Sequence, residues 1–185
     1  MNIVFSGLHG TGKSTIAKLV ADAFKFKSYS TGMAFRSLAE ENNMSLEEFS
    51  EFAEGNLDID KQLDEKIKRI AKNARENGQN YVFDGQLPAY ILQDLSDFNI
   101  YLKCETQTRI KRMSKRDDQS LEDKKRETLV REKSEQERFE TLYDINVLDP
   151  KSIMETFHLI LDTTETDISE VFEICKVAVE AAFEG

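Results

Sequence analysis

The sequence predicts a three-layer α/β fold with a mainly parallel five-stranded sheet. Three observations carry this. Five short apolar segments alternate with longer stretches of helical period. The first of them runs directly into Gly7-Leu8-His9-Gly10-Thr11-Gly12-Lys13-Ser14, which fits the phosphate-binding pattern GxxxxGK[ST] between a strand and a helix. With 185 residues, 39% of them hydrophobic and 32% charged, the chain suits one domain, 1–185, able to bury a sizeable core.

The elements follow in order. Asn2-Ile3-Val4-Phe5-Ser6 reads as a strand, and Ile16, Ala17, Leu19, Val20, Ala23 and Phe24 recur at helical spacing after the glycine loop. Phe26-Lys27-Ser28-Tyr29 is a second short strand, followed by helix from about Gly32 to Glu41. Ser45 with Glu48 three residues on forms a capping box, opening a short helix with Phe49 and Phe52 inward. Ile59, Leu63, Ile67, Ile70 and Ala74 mark a longer amphipathic helix that ends near Gly78. Tyr81-Val82-Phe83-Asp84 and Phe98-Asn99-Ile100-Tyr101-Leu102 are strands three and four. Helices over about 105–116 and 120–140 are broken at Asp117-Asp118-Gln119, where Ser120 with Asp123 suits a new N-terminus. Phe157-His158-Leu159-Ile160-Leu161 is the last strand, and Val171, Ile174, Cys175, Ala178, Val179 and Ala182 line the closing helix.

Composition excludes several roles. A net charge of −10 argues against general nucleic-acid binding, so any anion site must gather its cations locally. No apolar stretch is long enough to span a membrane and no leader precedes the first strand, so the expectation is a cytoplasmic protein. Cys104 and Cys175 stand alone among apolar neighbours and are expected as buried, reduced thiols.

Chemistry concentrates in four places. In the loop, backbone N–H groups and a helix N-terminus cradle phosphate, Lys13 reaches the β and γ phosphates, and the Ser14 hydroxyl suits Mg²⁺. Ser30-Thr31-Gly32-Met33-Ala34-Phe35-Arg36, a hydroxyl–Gly turn opening a helix, suits a second phosphate or nucleotide. Asp84-Gly85 puts an acid at the carboxyl edge of the sheet, beside the loop, where a Mg²⁺ shell needs one. Arg109, Lys111, Arg112, Lys115 and Arg116, then Arg131 and Arg138, form a basic excess in an acidic chain, as phosphoryl transfer requires. His9 sits at a variable loop position and His158 within a strand; neither is expected to be catalytic.

Over nearly its whole length the chain resembles the nucleoside monophosphate kinases, and among them the short archaeal-type cytidylate kinases. The resemblance lies in the glycine loop, STGMAFR, MSLEEFSEFAEGNLDIDKQLDEKI, YVFDG, RIKRMSKR, RETLVREKSEQERFETLYDIN and LILDTTETDISEV. It implies a P-loop NTPase fold with a helical acceptor-binding insert at about 31–75 and a lid at about 113–125. By position it implies that Gly7, Gly10, Thr11, Gly12, Lys13, Ser14 and Thr15 hold ATP, with Mg²⁺ on Ser14 and Asp84. Arg109 would lie near the donor base and Arg112 near its phosphates. Thr31 and Arg36 would face the acceptor monophosphate. Arg131, Glu135 and Arg138, on one helix face by their spacing, would surround the acceptor and the transferring group. Lys13, Arg112, Arg131 and Arg138 are the catalytic candidates.

One departure stands out: Gln86 follows Asp84-Gly85 where these kinases usually carry Arg, keeping hydrogen bonding but losing charge. Asp60 and Lys61 are candidates for the acceptor base. The implied reaction is ATP + CMP ⇌ ADP + CDP in a monomer whose partners are small-molecule nucleotides. The attacking phosphate oxygen is already ionised, so no catalytic base is needed. Adenylate or UMP kinase activity on the same fold, or a non-catalytic ATP-driven switch, remain the alternatives.

Overall fold

Strands β1 (Asn2–Ser6), β2 (Lys27–Ser30), β3 (Tyr81–Gly85), β4 (Phe98–Lys103) and β5 (Leu159–Asp162) form one sheet in the order β2-β3-β1-β4-β5. Every neighbouring pair is parallel. The computed structural model describes residues 1–184. β1 is central and buried throughout, and the period of two sends Ile3 and Phe5 to one face and Val4 to the other. On the first face Ile3, Phe5 and Ile100 pack against Ile16 and Val20 of α1 (Lys13–Phe24) and Val171, Cys175 and Val179 of α9 (Ile168–Glu184). On the second, Val4, Phe83 and Tyr101 meet Ile67 and Ala71 of α4 (Asp58–Glu76) and Ala89 of α5 (Pro88–Ile91). The three layers follow from that alternation, each fully buried Ile or Phe contributing roughly 1.5–3 kcal/mol.

A satellite core lies beyond the carboxyl edge of the sheet. Phe35 and Ala39 of α2 (Thr31–Glu41), Phe49 and Ala53 of α3 (Leu46–Glu54) and Leu63 of α4 form it. The capping box is present, with Ser45 accepting from the Glu48 N–H and the Glu48 carboxylate accepting from the Ser45 N–H. α6 (Thr106–Asp117) and α7 (Leu121–Tyr143) are separated by Asp118, whose φ of 51° breaks the helix, and Ser120 caps α7 by accepting from Asp123 N–H at 3.1 Å. α7 packs chiefly against α3 and α6. It therefore spans the mouth above the sheet edge.

The elements depart from the sequence reading in a few places. β2 starts one residue late, because Phe26 closes the end of α1 through its N–H to Ala21 and packs under the first core. β5 begins at Leu159, because Phe157 is drawn into the second core beneath Tyr90 and Tyr101. His158 accepts the Asn99 N–H on Nδ1 at 3.0 Å and stacks on Phe98, a structural role. Phe52 and Ile174, both expected inward, are 45% and 43% exposed: Phe49 and Val171 with Cys175 already fill the adjoining cores. Two short helices, α5 and α8 (Pro150–Thr156), have no counterpart in that reading; each begins on a proline, a residue preorganised for the first helical turn. Cys175 is buried and its thiol pushed up to about 12 by loss of solvent, whereas Cys104 is only half-buried.

Candidate active site

The register of the sheet assembles the site. Phe5 lies opposite Asp84 and Ser6 opposite Gly85, while Ser30 on β2 lies opposite Asp84 from the other side. The loop after β1, the end of β3 and the start of α2 therefore meet at the carboxyl edge of a parallel sheet, where ligands bind in such folds. Gly7, Gly10 and Gly12 all adopt positive φ, at 147°, 78° and 93°. Gly7 admits no substitute, since a Cβ there would lie 2.2 Å from the Leu102 carbonyl oxygen. The loop is tied from within, the Thr11 hydroxyl donating to the Leu8 carbonyl at 2.9 Å and Lys13 Nζ to the same oxygen at 3.2 Å.

Lys13, Arg131 and Arg138 line a single cavity of about 720 Å³ that runs from the loop to the satellite core. At its loop end, Ser14 Oγ donates to Asp84 Oδ1 at 2.6 Å and Ser30 Oγ to the same oxygen at 3.1 Å. Burial pushes the Asp84 carboxyl above its ordinary value, against the pull of Ser14 and Lys13. This all-oxygen set, with a desolvated carboxylate at its centre, matches a hard divalent cation. Thr31 donates to the Asp84 carbonyl at 3.1 Å, and the approach is so close that a Cβ on Gly85 would fall 2.0 Å from the Thr31 hydroxyl. Loss of solvent lowers the Lys13 pKa, with the Asp84 and Glu135 carboxylates working the other way.

α7 supplies the facing wall. Arg131, Glu135 and Arg138 all turn to the cavity, as their spacing predicts. Arg138 is 3% exposed; its Nε donates to Asp60 Oδ2 at 2.7 Å and its Nη1 to Ser134 Oγ at 2.6 Å. Arg131 is held more loosely, 3.6 Å from Glu135 and 3.8 Å from Glu127, and its buried Nε has no partner. Glu127 continues into a chain of ion pairs, Glu127–Lys124 and Lys124–Asp117 at 2.8 Å and Asp117–Arg116 at 2.6 Å, that ties the α6–α7 junction to Arg131. Arg116 reaches the cavity.

Gln86 does not stand idle where an arginine was expected. Its amide donates to Glu135 and lies 3.1 Å from His9 Nε2, which is itself 2.7 Å from Glu135. Burial opposes charge on both members of this pair. His9 stays below its ordinary value for that reason, whereas Glu135, against the same burial, is held at about 2 by His9, Arg131 and Arg138. The contact joins the loop to α7 across the cleft.

Three expected site residues fall elsewhere. Arg109, expected beside the donor base, is 3% exposed behind the loop, donating to the His9 carbonyl at 2.8 Å and pairing with Glu132 at 2.5 Å. Arg112, expected at the phosphates, donates to the Thr163 hydroxyl at 3.1 Å and its carbonyl at 2.6 Å, and Thr163 in turn donates to the Thr11 carbonyl at 3.0 Å. α6 packs on the rear of the loop, so these two arginines brace its backbone and only Arg116, a turn further on, reaches the front. Lys61 points to solvent and pairs with Asp58 at 3.6 Å, because the buried stripe of α4 passes through Asp60, Leu63 and Asp64. Thr15 lies at the exposed start of α1 and Arg36 is exposed on α2; both line the cavity.

Asp64 had no motif to announce it, only its place four residues after Asp60 on an apolar face. It is 7% exposed and accepts from Tyr143 Oη at 2.6 Å. Burial raises its carboxyl to about 6 despite that hydrogen bond, and the charge of Asp60 adds to the rise. A carboxyl whose folded pKa exceeds its unfolded one stabilises the fold while protonated. That contribution is complete below about pH 4 and lost as pH rises through about 6. Asp64→Asn is therefore expected to flatten this pH dependence and to raise stability at pH 7 by on the order of 2 kcal/mol. Urea denaturation between pH 4 and 8 measures it, and equal pH slopes for both proteins would refute it.

Fold and site together define a P-loop protein built to hold nucleotide phosphates. A family model described as an AAA domain matches residues 3–140. A cytidylate kinase from Methanosphaera stadtmanae is 37% identical over 97% of this chain and 98% of its own. Another from Methanocaldococcus jannaschii is 34% identical over 97% and 98%. Among solved structures, a shikimate kinase from Aquifex aeolicus superposes with a TM-score of 0.57 at 15% identity, covering 97% of this chain and 96% of that one, a likeness of fold. The chain belongs to the cytidylate kinase family. Among the described residues no helix is long and apolar enough to cross a membrane.

Proposed function

We propose that this protein transfers the γ-phosphoryl group of ATP to CMP or dCMP. The observation that carries the reading is the convergence of Lys13, Arg131 and Arg138, from opposite walls, on one elongated cavity. Its loop end takes the donor: Gly7, Gly10, Thr11, Gly12, Lys13, Ser14 and Thr15 meet the ATP phosphates. Ser14 and Asp84 would hold Mg²⁺, which when bound neutralises charge on the β and γ phosphates. The other end takes the acceptor. Thr31 and Arg36 at the α2 N-terminus meet its phosphate, and Asp60 and Arg138 lie toward its base. Arg131, loosely paired and between the two ends, is placed to meet charge that develops during transfer. The acceptor oxygen is already an anion, so the residues align, neutralise and exclude water without taking a proton. The protein is read as a monomer that acts on small-molecule nucleotides.

Release of ADP with CMP, dCMP, UMP and AMP as acceptors tests the reading: turnover with CMP or dCMP is expected to exceed the others, and a preference for AMP would overturn it. The α6–α7 junction, about 113–125, acts as a lid and the helices at about 45–75 as the acceptor flap. Both are expected to gain hydrogen-exchange protection when ATP analogue and CMP are bound together, and no change in either would remove the closing motion. Gln86→Arg adds a cation beside Glu135 and the acceptor phosphate. It is expected to lower the KM for CMP about fivefold, roughly 1 kcal/mol. An unchanged KM would mean that Arg36 and Arg131 already satisfy that phosphate.

A further inference from the structure

The acceptor end of the cavity carries a polar pattern that its phosphate-binding groups do not explain. Phe35, Leu63, Leu87 and Phe139 form apolar walls, the Arg138 guanidinium lying over the Phe35 ring at 5.7 Å. Against these walls stand two carboxylates one helical turn apart, Asp60 and Asp64. They are not equivalent. Each is engaged through Oδ2 alone, but by different partners: Asp60 is ion-paired with Arg138 Nε at 2.7 Å. Asp64 accepts only from the neutral Tyr143 hydroxyl, and among the described residues no cation pairs with it and nothing donates to its Oδ1. Arg138 likewise spends Nε on Asp60 and Nη1 on Ser134, while Nη2 donates to nothing among the described residues. The slot thus presents an uncommitted donor, Arg138 Nη2, and, on the carboxylate that no cation pairs, an uncommitted acceptor, Asp64 Oδ1, both on buried side chains of the cavity wall.

We infer that Asp64 is the specificity-determining residue of the acceptor site, its carboxylate accepting from the exocyclic amine of the base while Arg138 donates to the adjacent ring nitrogen or carbonyl. The inference rests on the proposed use of a cytidine monophosphate. Cytosine carries an amine donor at position 4 beside acceptors at N3 and O2, which complements an acceptor beside a donor. Uracil reverses positions 3 and 4, so its O4 would face the carboxylate oxygen with no proton between them. A buried acceptor left opposite an acceptor costs about 1–3 kcal/mol, about 5- to 150-fold in discrimination. The burial of Asp64 fits this role, since a desolvated carboxylate that lowers stability at neutral pH is kept for binding and not for packing. Tyr143 is a positioning residue, fixing the carboxylate so that its free oxygen faces the slot.

Asp64→Asn tests the assignment, because an amide can turn an N–H toward O4 of uracil. Steady-state kinetics with CMP and UMP are expected to show a lower kcat/KM for CMP and a higher one for UMP, shrinking the preference at least about 30-fold, with the KM for ATP unmoved. A gain with UMP cannot arise from damage to the fold. Tyr143→Phe is the second variant. It is expected to raise the KM for CMP about threefold or more with kcat and the KM for ATP held. An unchanged CMP-to-UMP ratio in Asp64→Asn overturns the inference, as does a Tyr143→Phe variant that loses kcat without a change in that KM. The wild-type chain in the same assay separates the two readings. A wild type that uses CMP, with the Asp64→Asn ratio unmoved, overturns the role of Asp64 alone; one that does not use CMP overturns both.

Discussion

Lys13→Ala lowers kcat by at least about 10³-fold while leaving the melting temperature within a few degrees of the wild type. The expectation follows from what Lys13 does and does not touch. Its ammonium lies in the cavity wall, partly desolvated, and its one hydrogen bond is to the Leu8 carbonyl. The loop does not depend on it for shape. Three positive-φ glycines set the turn, Thr11 ties it from inside, and Arg109 and the Arg112–Thr163 pair hold it from behind. On the proposed reading, removing the lysine therefore removes a cation from the β and γ phosphates and little else, and a desolvated charge is lost with it. Single-turnover rates and calorimetry on the same preparation decide the matter. A variant within tenfold of wild type would take Lys13 out of the mechanism.

The second large effect separates two arginines that the helix period makes look alike. Arg138→Met is expected to destabilise the fold by about 3–5 kcal/mol, because it leaves Asp60 buried without its cation and strips Ser134 of a donor. Arg131→Met is expected to cost less than about 1 kcal/mol, since its pairings are 3.6 and 3.8 Å long and its Nε has none to lose. Its price appears in the chemistry, with kcat falling about 10³-fold as the charge on the transferring group goes unmet. Urea titrations paired with kcat for both variants make the comparison. Equal destabilisation, or an Arg131→Met enzyme that still transfers at the wild-type rate, would sink the division of labour.

What was legible beforehand was what is local. A glycine pattern between a strand and a helix, a capping box at Ser45 and Glu48, and the alternation of periods two and 3.6 are each written within a few residues, because backbone geometry repeats on that scale. The face shared by Arg131, Glu135 and Arg138 was legible for the same reason. Arg109 and Arg112 were not. Their motif is as basic as any in the chain, but whether a charge on α6 faces the front or the rear of the loop depends on how α6 docks, and it docks behind. His9 sits at a variable loop position, and nothing in its neighbours announces Glu135, 126 residues away, as its partner.

Local periodicity and the GxxxxGK[ST] loop determined the parallel sheet, the phosphate cradle and the helix bearing the arginines, since each depends only on neighbours in sequence. The choice among polar groups was made in three dimensions. Packing decided that Lys61 faces water while Asp60 and Asp64 face the cavity, that Gln86 and His9 close on Glu135, and that Arg109 and Arg112 brace the loop while Arg131 and Arg138 line the cavity. The physical reason is that a side chain's charge, hydrogen bonding and solvent are set by groups brought from distant parts of the chain, and no local pattern records which ones arrive.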